Sequence, residues 1–434
     1  TAQVMIPSGP HPSPSGRWGH TLTPIPKTSK CVIYGGNCYS TIENPPLSQE
    51  FVTCADVHIF NTKSKSWSGS LTVQNDNSTK QGRCWHTATY LPGSNAILFL
   101  GGEVNDKSSP SPQLLHLGDT NGTIVPGFTT PPLNGLVHHK RSGHTATYLP
   151  STNEVLLFGG VSTATGKLLK SLSILKTDSW EWRSANNNAK QRVLGDFPQP
   201  RSYHTAVLLG DEKRVVILGG NDEVKSFDGK SVSVLDTSQA VWSWYHHTCH
   251  GCQGMPGGRS GHEAILMGDG KSILIYGGWD QSSNEEEEDD IFGDTWLLDT
   301  ETWGWRRAND LKMKKCEEEE SSFRVGHSLM LLPPEKEDDK KKDVQDCTNR
   351  NENQPLPQEN NNVVSSNNKI GNTNTIAAAQ GGEDVLVFGG RLPNNFLASD
   401  LIRWNITTAS ASIIVVDDNS SISSDTDTDR ESIV

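Results

Sequence analysis

Residues 141–160 read RSGHTATYLPSTNEVLLFGG, and the rest of the chain repeats that pattern. It recurs as RWGHTLTPIPKTSKCVIYGG from Arg17, RCWHTATYLPGSNAILFLGG from Arg83, RSYHTAVLLGDEKRVVILGG from Arg201 and RSGHEAILMGDGKSILIYGG from Arg259. A sixth copy opens as RVGHSLMLLPPE at Arg324 and closes as DVLVFGG at Gly390. From the His to the first Gly the spacing is 15 in five copies and 62 in the sixth, which therefore carries a 47-residue insertion. Equal spacing of this kind is the signature of a repeat architecture.

Each copy reads as two short strands of β-branched and aromatic residues joined by a polar turn such as PGSN or GDEK. A variable loop follows the glycines and leads to a third strand: DVHIFN at 56, SLSILK at 171, SVSVLD at 231, DTWLLD at 294 and DLIRWN at 400. A fourth strand begins around Trp67, Trp180/Trp182, Trp242/Trp244 and Trp303/Trp305. Blades two and six lack that Trp, so their outer strands are the least defined. Four antiparallel strands repeated six times, with no helical periodicity, describe an all-β, six-bladed β-propeller. Radial repetition removes the exposed edges that a lone four-stranded sheet would present.

The double glycine after an apolar strand, the Arg-x-x-His opening and the Trp-bearing last strand resemble the kelch-repeat family, with its galactose oxidase-like propeller. The resemblance spans residues 17 to 416 and implies the fold. It implies less about activity, because this fold hosts binding proteins and several unrelated enzymes. Kelch-like propellers act as protein-interaction modules that recruit substrates for ubiquitin ligases or bind small GTPases and cytoskeletal proteins. The resemblance therefore implies an adaptor or scaffold rather than an enzyme.

Blades start near residues 17, 83, 141, 201, 259 and 324. Residues 1–16 form an N-terminal segment in which Gln3 to Ile6 stands where a closing strand would complete blade six. Ser412 to Val416 competes for that slot, and a seventh, missing blade is the third alternative; six blades are favoured. Residues 334–382 and the tail 417–434 are Asn-rich or acidic without an apolar core, and are expected to be disordered.

Chain direction sorts the loops into two faces. Connections from strand two to three, and from strand four to the next blade, share a variable face whose loops differ most, and function gathers on such loops. The six Arg and six His recur in every blade and so are read as serving blade geometry through hydrogen bonds. Positions that break the repeat are more informative. Between Arg and His the third position is Gly in four blades but Trp85 and Tyr203 in two. After the double glycine stand Asn37, Glu103, Val161, Asn221, Trp279 and Arg391. These residues should gather at the channel mouth, and Trp85, Tyr203, Trp279, Arg391, Asn37, Glu103 and Asn221 are the candidate partner contacts. Aromatics and Arg are the usual anchors of interfaces. The alternative is that they cap the channel by packing.

The net charge is −13, and the runs 285–290 and 317–320 alone hold ten acidic groups. Both runs fall on the variable face and would steer a basic protein partner toward it; a solvated run is the alternative. There is no basic stripe for nucleic acid and no run of apolar residues long enough to span a membrane. Eight scattered Cys form no small-domain disulfide pattern, and TAQVMIPSGP is not a signal peptide, so a cytoplasmic location is expected. Ser432-Ile433-Val434 fits a PDZ-type C-terminal ligand.

His246, His247, Cys249, His250 and Cys252 have metal-ligand chemistry, with Cys249, Cys252 and His246 the zinc candidates. There is no second Cys-x-x-Cys, and an ordinary loop with free thiols is the favoured reading. The iron motif of nitrile-specifier relatives, Glu-x3-Asp-x3-His, is broken at Cys54, which stands between Glu50 and His58 in the place of the Asp. No phosphate loop or nucleophile elbow is present. No cofactor is expected, and a loop-built oxidase, lyase or epimerase site is the alternative to a binding module.

Overall fold

A computed structural model of the protein describes residues 2–7, 11–40, 51–71, 82–104, 110–118, 127–135, 140–185, 192–280, 290–308, 322–334 and 382–406. The two acidic runs (save Asp290), the body of the blade-six insertion, the rival closing segment 412–416 and the C-terminal tail lie outside these residues.

Blade three shows how the pattern becomes a sheet. Thr145–Leu149 pairs antiparallel with Glu154–Phe158, then Leu172–Lys176, then Glu181–Ala185. The second strand is buried throughout because both of its faces meet neighbouring blades, which is why EVLLF reads as a continuous apolar run. The other blades follow the same order from inside to outside. In blade two the outermost strand is only Phe128–Thr129, consistent with the missing Trp. Blades three and four each gain a fifth, parallel outer strand, Asn134–Gly135 and Val193–Gly195.

Blade six is assembled from both ends of the described chain. Its strands Ser328–Leu331, Glu383–Phe388 and Leu401–Ile406 are completed by Ala2–Val4, whose Val4 sits opposite Ile402. Among the described residues the buried apolar side chains form six clusters, and each lies between two adjacent blades. Ile97, Phe99 and Leu115 of blade two pack on Val32, Tyr34 and Ile59 of blade one. Leu386 and Phe388 of blade six pack on Ile33 and Phe60 of blade one, closing the ring. Among the described residues no blade has a core of its own, so cohesion is a property of neighbours.

The repeated polar residues form the joints. Each Arg is buried and donates from its guanidinium to the carbonyl of the first glycine of its own blade: Arg17 to Gly35, Arg141 to Gly159, Arg324 to Gly389. Arg17, Arg259 and Arg324 also pair with Asp56, Asp294 and Asp400. Each second glycine donates its N–H to the Arg carbonyl of the next blade, as Gly102 does to Arg141 at 2.9 Å. A side chain there is excluded sterically. A Cβ on Gly101 would lie 2.4 Å from the Arg141 carbonyl oxygen and from the His144 ring.

Candidate functional site: two cavities on the propeller axis

The third position of the Arg-x-x-His motif sets the geometry of the axis. Its N–H groups and carbonyls form a closed ring: Gly19 donates to Gly326, Trp85 to Gly19, Gly143 to Trp85, Tyr203 to Gly143, Gly261 to Tyr203 and Gly326 to Gly261, at 2.8–2.9 Å. The ring requires a left-handed backbone, which Gly adopts freely; Trp85 and Tyr203 adopt it at φ 53°. A bulky residue in this conformation is strained by about 1–2 kcal/mol, and such strain gathers at functional sites.

The two rings lie across the channel. Trp85 packs edge-on against Tyr203 at 4.8 Å and against Trp18 at 5.3 Å. Its six-membered edge reaches over Gly326 on the far side, where a Cβ would come within 2.9 Å of it. Tyr203 lies over Gly143 in the same way. Trp85 and Tyr203 thus close the channel and also line the cavity that lies above it.

Above the partition is a bowl of about 500 Å³. Trp18, Phe51, Trp85, Tyr203 and Trp279 supply its aromatic surface, and Glu103, Asp222 and Glu223 its acidic side. The structure thus brings Trp85, Tyr203, Trp279, Asn37, Glu103 and Asn221 together. Arg391 stands beside them, its guanidinium 5.5 Å from the Trp18 ring and 5.7 Å from the Trp279 ring. The six residues after the double glycines all pair with the second motif position of their own blade, as Asn37 does with Trp18 and Trp279 with Ser260. That bridge is what aims them at the axis. The Asn37 amide oxygen accepts from the Thr53 hydroxyl, and Asn221 accepts from Ser202, so both side chains are held in place.

Sequence reasoning missed several members of the bowl, Trp18, Phe51, Asp222 and Glu223 among them. Trp18 breaks the repeat at the second motif position, a comparison that would have found it. Phe51, Asp222 and Glu223 come from loops of unequal length that offer no register.

Below the partition is a channel cavity of about 230 Å³ lined by the innermost strands. Here the motif His residues are buried, and in blades two to five the Nε2 meets the Thr hydroxyl of the preceding blade: His86 with Thr21 at 3.1 Å, His144 with Thr87 at 3.2 Å, His204 with Thr145 and His262 with Thr205 at 3.0 Å. Burial, reinforced by the neighbouring Arg, holds them neutral and lowers His20, His144 and His262 to about 3. Blade five breaks the series with Glu263 in place of the Thr, and His327 of the next blade has no hydrogen-bond partner on either ring nitrogen. Burial pushes the Glu263 carboxyl up to about 8. Aligning the residue after each His (Thr, Thr, Thr, Thr, Glu, Ser) would have exposed this position too.

The Cys-His cluster does not converge. The strand Trp242–Thr248 sends alternate side chains to opposite faces, so His246 bonds Ser233 while His247 stacks on Trp303 at 3.8 Å. Cys249 is buried, Cys252 exposed, and His250 turns to the Trp303 carbonyl. Among the described residues no three such side chains are placed to share a metal ion.

Residues 85–334 match the family profile of the KLHDC2/KLHL20/DRC7 Kelch-repeats domain. The chain belongs to this family. It is 26% identical over 298 residues to acyl-CoA-binding domain-containing protein 5 of Arabidopsis thaliana, covering 67% of this chain and 39% of that protein. It is 24% identical over 345 residues to host cell factor of Drosophila melanogaster, covering 75% and 20% respectively. The kelch chain thus spans two-fifths or less of these relatives. The solved structure of YjhT is similar in fold, with a TM-score of 0.53 at 12% identity, covering 90% of this chain and 95% of that one. Among the described residues of this kelch propeller, no helix is long and apolar enough to cross a membrane.

Proposed function

We propose that this kelch propeller is a non-catalytic protein-interaction module whose variable-face bowl takes a basic segment of a partner protein. The observation that carries the reading is the bowl's composition. Five aromatic rings form floor and walls, while Glu103, Asp222 and Glu223 provide negative charge along one side. A Lys or Arg side chain entering such a cavity gains cation–π contact and a carboxylate partner together. Aromatic anchors at the centre of a depression are where binding energy concentrates.

Selection from a random peptide library tests the proposal. Enriched peptides carry Lys or Arg, their binding weakens with salt, and the variant Asp222→Lys/Glu223→Lys, folded by circular dichroism, loses them. Enrichment without basic residues, or binding indifferent to the charge reversal, overturns it.

A further inference from the structure

Beside the bowl, residues 37–39 and 51–53 form a small hairpin. Its outer end is tied to the propeller, since Tyr39 stacks on Phe51 at 4.9 Å and donates its hydroxyl to the Asn395 carbonyl of blade six. Phe51 faces Trp18 at 5.9 Å, and Phe51 and Asn37 both line the bowl. Two cysteines sit on this hairpin in diagonal register. Cys38 pairs with Val52, and Cys54 follows two residues on. The Cys54 thiol donates to the Cys38 sulfur at 2.8 Å. A disulfide bond is ~2.05 Å long, so closure asks for a sulfur movement of under about 1 Å.

The pair differs from the other described thiols. Cys31 and Cys84 are buried completely, and burial pushes Cys31 up to about 12 and Cys249 up to about 11. Cys38 is half-buried and has been brought down to about 7, chiefly by the hydrogen bond from Cys54 and further by the Arg17 charge, against the effect of burial. The thiolate is the reactive form in exchange chemistry.

We propose that Cys38 and Cys54 are a reversible oxidation site, closed to a disulfide by a low-molecular-weight disulfide and holding the Asn37–Phe51 wall of the bowl in one position. The Cys38 thiolate attacks the small disulfide, forming a mixed disulfide and expelling one thiolate. That thiolate takes the Cys54 proton, and the Cys54 sulfur then displaces the second small thiolate from Cys38. Two protein thiols are oxidised and one small disulfide is reduced to two thiols.

The test treats the full chain with oxidised glutathione near neutral pH, followed by proteolysis and mass spectrometry. The wild type yields a Cys38–Cys54 linked peptide pair, reopened by dithiothreitol. Cys54→Ser, unable to resolve, accumulates glutathione on Cys38, whereas Cys38→Ser leaves Cys54 unmodified. Hydrogen exchange in the paired residues 37–39 and 51–53 slows on oxidation of the wild type and is unchanged in either variant. Absence of the linked pair in folded wild type overturns the site. Glutathione trapped on Cys54 instead overturns the assignment of the attacking sulfur. A link without slowed exchange overturns the effect on the bowl wall. None of these readouts uses a binding partner, so they stand apart from the peptide selection.

Discussion

The bowl and the channel share one partition, yet they are written by opposite rules. The channel is lined by what the blades repeat: a buried His ring in every blade, facing a Thr hydroxyl across four of the six joints. The bowl is lined by what the blades do not share, Trp18, Trp85, Tyr203, Glu103 and Trp279. Repetition makes the wall and irregularity makes the surface a partner would read. Glu263 is the exception, an irregular residue placed in the regular cavity.

The largest expected effect comes from breaking the wall that both cavities depend on. Asp400→Ala leaves the Arg324 guanidinium, whose side chain is fully buried, without its carboxylate. Chemical denaturation should show a loss of about 3–5 kcal/mol. Peptide binding at the bowl and the pH response of the channel should fail together.

The channel alone is tested by pH. Glu263 titrates near 8 in the fold, against 4.5 ordinarily, so folding takes up a proton between those values. Stability present at pH 4.5 therefore declines toward pH 8, by roughly 1–4 kcal/mol, and Glu263→Gln should flatten that decline. The His ring works in the other direction. Its members stay neutral, so stability falls as pH drops below 6.5 toward 3 in both proteins. A denaturation midpoint measured from pH 5 to 9 separates the two groups.

The partition gives a smaller, inverted effect. Trp85→Ala and Trp85→Gly both lose the ring, but only Gly relieves the left-handed backbone. Trp85→Gly should be the more stable by about 1 kcal/mol, the reverse of the usual order. The smallest effect belongs to the bowl rim. Glu223→Ala, at an exposed site, should change stability by no more than about 0.5 kcal/mol while weakening selected basic peptides.

The same contrast explains what could be read in advance. Six blades, their inner strands and the Arg, His and Gly joints recur at fixed spacing, and each recurrence is demanded by a local contact such as Gly101 beneath His144. Trp85, Tyr203 and Trp279 were legible as breaks in that spacing. Trp18 and Glu263 carried the same kind of signal one or two positions away and escaped because those columns were not compared. The bowl's Phe51, Asp222 and Glu223 had no column to be compared in. The fifth strands Asn134–Gly135 and Val193–Gly195 join their blades by parallel pairing to an outer strand, so the path of the chain decides them and local propensity does not. The Cys-His cluster looked dense in one dimension, and strand alternation dispersed it.

Blade six also keeps time. Its outermost strand, Ala2–Val4, is synthesised long before Leu401–Ile406, the strand it must pair with. At ~5–20 residues per second, the early strand waits roughly 20–80 s on the ribosome for its partner. Blades one to five can stack in the interval, leaving one sheet with an open edge until translation supplies the rest. Crowded ribosomes on one message hold several such edges side by side, and a strand lent to the wrong neighbour there would link two chains into one ring.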